Sequence, residues 1–269
     1  MQPGVLDYNG SVIHYSYGGH GSKPLICFHG YGETAEKFRF LEKRIGDSYR
    51  IIAVDLPFHG ETEWNSKHVY PKDLSAITLQ VIKKLEADET NIQLLGFSLG
   101  GRIALCLLEQ MPEKISKLVL MAPDGLTVNF WYWLSTQTYL GNKAFRLTMA
   151  KPGWFLGMLR TGNRLGIINQ SIYKFVEYYI HDEEVRKELY ERWTGLSRCR
   201  PDISTIRKLI RKHKIAVELL YGKYDRIIGT ERGRKFAEGI DSCRIEVLNC
   251  GHQVLHEKNA DAIINALSD

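Results

Sequence analysis

Gly96-Phe97-Ser98-Leu99-Gly100 constrains this chain more than any other stretch, because of what flanks it. Asn91-Ile92-Gln93-Leu94-Leu95 before it is a short apolar run that reads as a buried strand. Gly101 through Met111 after it reads as a helix stopped by Pro112. A Gly-x-Ser-x-Gly between strand and helix is a nucleophile elbow. The turn is tight enough to strain the serine backbone, and the flanking glycines lack the Cβ atoms that would collide there. Ser98 Oγ is thereby pushed out at the carboxyl end of the strand. The helix behind it aims its N-terminal dipole and free N–H groups at the same spot, which favours developing negative charge.

Further parts follow in chain order. Leu25-Ile26-Cys27-Phe28 is an apolar strand running into His29-Gly30-Tyr31-Gly32. This arrangement resembles the α/β-hydrolases, in which the loop after such a strand supplies one oxyanion N–H and the residue after the nucleophile the other; the resemblance implies the backbone amides of Tyr31 and Leu99. Ile215 to Gly222 reads as a core strand whose loop carries Asp225. Arg244 to Asn249 alternates as another strand and ends at Cys250-Gly251-His252. The order Ser98, Asp225, His252 suits a triad in which the imidazole takes and returns the serine proton and the carboxylate holds its tautomer. Asp124 also follows a strand and is the alternative acid.

These segments, with Asp55-Leu56-Pro57-Phe58-His59-Gly60 and Tyr221-Gly222-Lys223-Tyr224-Asp225, resemble the α/β-hydrolase superfamily, in its small serine esterase type with a helical cap. The resemblance spans nearly the whole chain. Many relatives read Asp-x-Pro-Gly-His-Gly, and Phe58 here stands where they carry glycine. The family implies a mainly parallel twisted sheet with helices on both faces and an inserted cap. It also implies a hydrolase acting on a small-to-medium carboxylic ester or thioester through an acyl-enzyme, with no cofactor and no metal. Gly100-Gly101-Arg102 is also similar to the menaquinone-pathway synthase of this superfamily, a triad enzyme that eliminates pyruvate, so a lyase is the alternative within enzymes. A ligand-binding protein that kept the fold is the alternative outside them.

Between Gly125 and about Arg200 the strand–helix alternation stops. The stretch reads as several helices rich in aromatics: Phe130-Trp131-Tyr132-Trp133, Trp154-Phe155, Tyr173, Phe175, Tyr178-Tyr179 and Trp193. It holds 11 Lys and Arg against 6 Asp and Glu, an excess equal to the whole-chain net charge of +5. The expected organisation is therefore a core of residues 1–124 and 201–269 with a cap over 125–200. A cap of this kind excludes water and shapes the substrate pocket. Its charge favours an anionic small molecule. Trp131 and Trp133 are candidates for lining an acyl pocket, and Arg102, one step past the elbow, is a candidate for a substrate carboxylate.

With 44% hydrophobic and 25% charged residues the composition is that of an ordinary globular chain. No apolar run reaches the roughly 18 residues of a membrane span. The first residues have neither the basic nor the apolar region of a secretory signal. Five unpatterned cysteines point to a reducing, cytoplasmic setting. Basic pieces such as Arg207 to Lys214 read as a solvated helix face, not a nucleic-acid site. The helix breakers Gly141, Pro152, Gly153 and Gly157 interrupt any long amphipathic face, so no stable membrane association is expected. Oligomeric state has no sequence signal.

Overall fold

The computed structural model describes residues 1–268; the side chains of Ser171, Ile172 and Phe175 lie outside the described residues, so Phe175 of the aromatic set is not placed. The chain divides into two units. One comprises Met1–Thr127 and Arg198–Asp269, the other Val128–Ser197.

The first unit is built on an eight-stranded sheet. Its opening hairpin pairs β1 (Gln2–Tyr8) with β2 (Ser11–Gly18) in antiparallel register, Val5 opposite His14 and Tyr8 opposite Ser11. Asn9 and Gly10 turn the chain with φ of 49° and 79°, the left-handed pair that a two-residue hairpin loop demands and that Asn-Gly supplies cheaply. Pro3 is tolerated because β1 is the edge strand. Then follow β3 (Lys23–Phe28), α1 (Arg39–Ile45), β4 (Tyr49–Val54), α2 (Pro71–Lys84), β5 (Ile92–Phe97), α3 (Leu99–Gln110) and β6 (Ile115–Met121). The strand order is β1-β2-β4-β3-β5-β6, continued by the two strands that come after the helical unit. From β4 onward every neighbouring pair is parallel.

The helical unit contains α4 (Phe130–Gln137), α5 (Tyr139–Ala150), α6 (Gly153–Arg164), α7 (Gln170–His181) and α8 (Glu183–Gly195). Asn129, Thr138 and Asp182 cap α4, α5 and α8 through side-chain oxygens, satisfying amides that a helix start leaves unpaired. Trp193 packs against Tyr132 and Phe145, and Tyr190 against Phe145, giving this unit its own aromatic contacts. The chain then returns to the sheet with α9 (Ile203–His213), β7 (Ala216–Gly222), α10 (Glu231–Ala237), β8 (Cys243–Leu248) and α11 (Ala260–Leu267).

Successive strand side chains point to opposite faces, so the apolar strands bury both. On one face Leu25, Cys27, Ile51, Leu95, Val119 and Leu220 pack with Leu41 and Ile45 of α1 and Ile263 and Leu267 of α11. The other face is covered by α3, which packs beside α2 and α9. The expected α/β-hydrolase architecture is borne out. The seven-residue helices α1 and α10 carry too few turns to register as periodic runs and were not expected.

Candidate active site

Every candidate catalytic group sits in a loop at the carboxyl end of a parallel strand. β5 ends at Phe97 and α3 begins at Leu99, leaving Ser98 alone to reverse the chain. It does so at φ 50° and ψ −111°, a region that costs a non-glycine residue of order 1–3 kcal/mol. The surroundings hold it there: Ser98 N–H donates to Met121 O, and Ser98 O accepts from Gly101 and Asp124 N–H, all at 2.9 Å. A Cβ on Gly96 or Gly100 would strike backbone, at Gly100 O and Phe28 O respectively. The sharp turn therefore requires both glycines.

His252 lies four residues past β8, and Asp225 three past β7. Their loops are stitched together. Lys223 N–H donates to Leu248 O at 2.8 Å and Tyr224 N–H to Cys250 O at 2.9 Å. Asp225 Oδ1 accepts from the amides of Ile227 and Ile228 at 2.7 and 2.9 Å, which leaves Oδ2 to accept from His252 Nδ1 at 2.8 Å. With its proton on Nδ1, the neutral ring offers Nε2 to the Ser98 hydroxyl at 3.2 Å. The Asp225 side chain is fully buried, and Phe97 packs against the imidazole with ring centroids 5.4 Å apart.

Asp124, the alternative acid, faces elsewhere. Its Oδ2 pairs with the Arg102 guanidinium and its Oδ1 accepts from Gly125 N–H at 2.7 Å. The structure thus brings Ser98, His252 and Asp225 together and gives Asp124 to Arg102. A substrate carboxylate reaching Arg102 would compete with that pair. Trp131 and Trp133 lie exposed on α4, each against Phe130.

The loop carrying Tyr31 is braced from three sides, a feature sequence reasoning missed. Gly30 N–H donates to Glu33 Oε2 at 3.1 Å, and Glu33 N–H returns a bond to Gly30 O at 3.2 Å. Buried His29 accepts from Leu56 N–H through Nε2 at 3.1 Å, so its proton is on Nδ1, which donates to Gly30 O at 2.8 Å. The Tyr31 ring meets His59 edge-on, and His59 packs against His29. Glu33 Oε1 also accepts from Gln253, the residue after His252. One carboxylate therefore links the Tyr31 loop to the imidazole loop. Glu33 and Gln253 are 220 positions apart, and no sequence signal joins them.

Asp55, at the end of β4, accepts from Ala35 N–H at 2.6 Å, and burial pushes its carboxyl up despite that bond. Phe58 in the same turn adopts φ 66°, the conformation for which the related motif uses glycine. Cys27, Cys106 and Cys199 are buried packing residues. Burial raises the Cys27 and Cys106 thiols well above the ordinary range and pushes Cys199 up to about 12, so none offers a thiolate near neutrality. Among the described residues no group of three or more His, Cys, Asp or Glu is arranged to hold a metal ion.

Residues 23–259 match the family model described as the alpha/beta hydrolase fold, and the chain belongs to that family. The chain is 26% identical over 252 residues to the uncharacterized hydrolase YugF of Bacillus subtilis, covering 92% of this chain and 90% of that one. It is 25% identical over 283 residues to the monoacylglycerol lipase ABHD6 of Homo sapiens, covering 100% and 82%. Among solved structures, a thermophilic esterase from Thermogutta terrifontis superposes with a TM-score of 0.70 at 16% identity, over 99% of this chain and 98% of the esterase. That last likeness speaks to the fold.

Proposed function

We propose that this hydrolase cleaves a small-to-medium carboxylic ester or thioester through a covalent acyl-enzyme on Ser98. The observation that carries the reading is the unbroken relay from Ser98 Oγ to His252 Nε2 at 3.2 Å and from His252 Nδ1 to Asp225 Oδ2 at 2.8 Å. Ser98 Oγ attacks the carbonyl carbon as His252 Nε2 takes its proton, and Asp225 stabilises the imidazolium. The amides of Tyr31 and Leu99 receive the oxyanion, the first on the braced loop and the second at the first turn of α3. The tetrahedral species expels the alcohol or thiol, which takes the proton from His252. Water then repeats the sequence and frees the acid and Ser98.

The similarity to a monoacylglycerol lipase and, in fold, to a thermophilic esterase supports ester chemistry. We assign the helical unit a part in substrate selection, with Trp131 and Trp133 as the acyl-contacting candidates. The test is turnover of p-nitrophenyl esters from acetate to decanoate by the wild type and Ser98→Ala. A loss of about 10,000-fold or more in the variant supports the assignment, and turnover retained by it overturns it. Fluorophosphonate labelling of Ser98 without ester turnover would move the chemistry from hydrolysis towards elimination.

A further inference from the structure

The 52 residues from Gly125 to Val176 contain no acidic residue and six cations: Lys143, Arg146, Lys151, Arg160, Arg164 and Lys174. The same stretch is where apolar surface is left uncovered. Among the described residues, 12 of the 17 exposed large hydrophobic side chains belong to the Val128–Ser197 unit.

The exposure follows helical periodicity. On α5, Leu140, Lys143, Ala144 and Leu147 are exposed at spacings i, i+3, i+4 and i+7, while Thr148 and Met149 are buried. On α6, Trp154, Gly157, Met158 and Thr161 repeat those spacings, Leu165 continues them one turn on, and Leu159 is buried. Leu140, Leu147, Trp154, Met158 and Leu165 are each more than half exposed. Arg146, Arg160 and Arg164 are exposed to one side of these stripes, one to two residues off in the helical wheel. The two helices are consecutive and in contact. The breakers that argue against a single long amphipathic face instead divide the stretch: Pro152 and Gly153 end one short helix and start the next, each with an apolar stripe of its own.

We propose that the exposed faces of α5 and α6 dock this unit on an anionic lipid bilayer surface. An apolar stripe of Trp, Leu and Met flanked by Lys and Arg lies in the plane of a membrane interface, with the apolar side chains among the acyl chains and the cations among the head groups. The charge selects the partner. A 52-residue stretch with six cations and no acid is repelled by cationic surfaces and attracted to anionic lipid; the exposed acids of the unit, Asp182, Glu183, Glu184, Glu188 and Glu191, lie on or beside α8 and not on α5 or α6. Each cation near such a surface strengthens binding by about fivefold. The stem of each Lys or Arg covers apolar area while its head stays wet. Such docking is peripheral and reversible; no helix among the described residues is long and apolar enough to cross a membrane.

The experiment is cosedimentation of the whole chain with two sets of vesicles, phosphatidylcholine alone and phosphatidylcholine with roughly one-third phosphatidylglycerol. The unaltered chain and Ser98→Ala both pellet with the anionic vesicles, not with the zwitterionic ones, and binding weakens as salt rises. The pair Arg160→Glu with Arg164→Glu lowers the partition by at least about tenfold, as does Met158→Ser with Leu165→Ser. Both pairs keep their far-ultraviolet circular dichroism and their turnover of a soluble ester. Quenching of tryptophan fluorescence by brominated lipid reads the same contact in the unaltered chain and needs no variant to fold. Absence of cosedimentation and quenching overturns the proposal, as does equal binding to both vesicle types. A lipid-independent dimer abolished by the same substitutions would also overturn it, by making a second copy the occupant. Vesicle binding by Ser98→Ala is unaffected by failure of the ester reading, so the two can fail separately.

Discussion

The sheet unit and the helical unit spend their apolar residues in opposite ways. In the first, Leu25, Ile51, Leu94, Leu118 and Leu219 are wholly buried, and the strands they fix end at the loops that carry Ser98, Asp225 and His252. In the second, Leu140, Trp154 and Leu165 stand in solvent beside cations. A framework that must hold a 3.2 Å and a 2.8 Å contact at once needs dense packing behind it. A surface that meets a deformable partner needs exposed area and the right sign of charge.

The largest effect is expected at the acid. Asp225→Asn should lower kcat/KM by about 10,000-fold, because the amide favours the wrong imidazole tautomer. Asp124→Asn should cost less than about tenfold, since the backbone bond from residue 124 to Ser98 O survives. It should instead cost about 1–3 kcal/mol of stability, a value discounted for partial exposure, by leaving Arg102 without its carboxylate. Steady-state kinetics with urea melts on both variants reads the two quantities, and the opposite pattern would move the acid to Asp124.

Next comes the packing behind the site. Leu118→Ala, in a fully buried β6 position, should destabilise by about 2–5 kcal/mol, read from the shift in urea midpoint. A smaller loss would mean that the sheet relaxes around the cavity, and would weaken the contrast with the helical unit.

The Glu33 bridge is expected to matter to rate more than to binding. Glu33→Ala removes the acceptor for both Gly30 N–H and Gln253 and loosens the Tyr31 amide without deleting it. The expected loss is about tenfold in kcat with KM nearly unchanged, below the roughly 100- to 1,000-fold of a missing oxyanion donor. A change confined to KM would make Glu33 a substrate contact and not a positioning residue.

Much of the sheet unit was legible because its constraints are local. The elbow, the glycines at 96 and 100, the Asn9-Gly10 turn and the apolar strand runs each act within a few residues. The sequence favours Asp225 and keeps Asp124 as the alternative because both follow a strand; the stitching of the 223–224 and 248–250 backbones is what brings the Asp225 carboxylate to His252. Glu33 and Gln253 were invisible for the same reason, being brought together by the sheet. In the helical unit the sequence reads as helical and aromatic, as the structure has it, but Gly141, Pro152, Gly153 and Gly157 read there as breaks in one face. Pro152 and Gly153 form the junction between α5 and α6, whereas Gly141 lies inside α5 and Gly157 inside α6, and exposure is a tertiary property that neither periodicity nor composition supplies.

The smallest expected effect is also the sharpest test of the comparison. Leu165→Ser removes an apolar side chain that is 68% exposed, just past the end of α6. With little area buried, the substitution should change stability by no more than about 0.5 kcal/mol, while Leu118→Ala costs several times that. The same leucine contributes to the stripe that meets lipid, so its removal should weaken binding to anionic vesicles without moving the melting curve. A loss of stability as large as that of Leu118→Ala would mean that Leu165 is packed in solution. The helical unit would then spend its apolar residues as the sheet unit does, and the division of labour between them would fall.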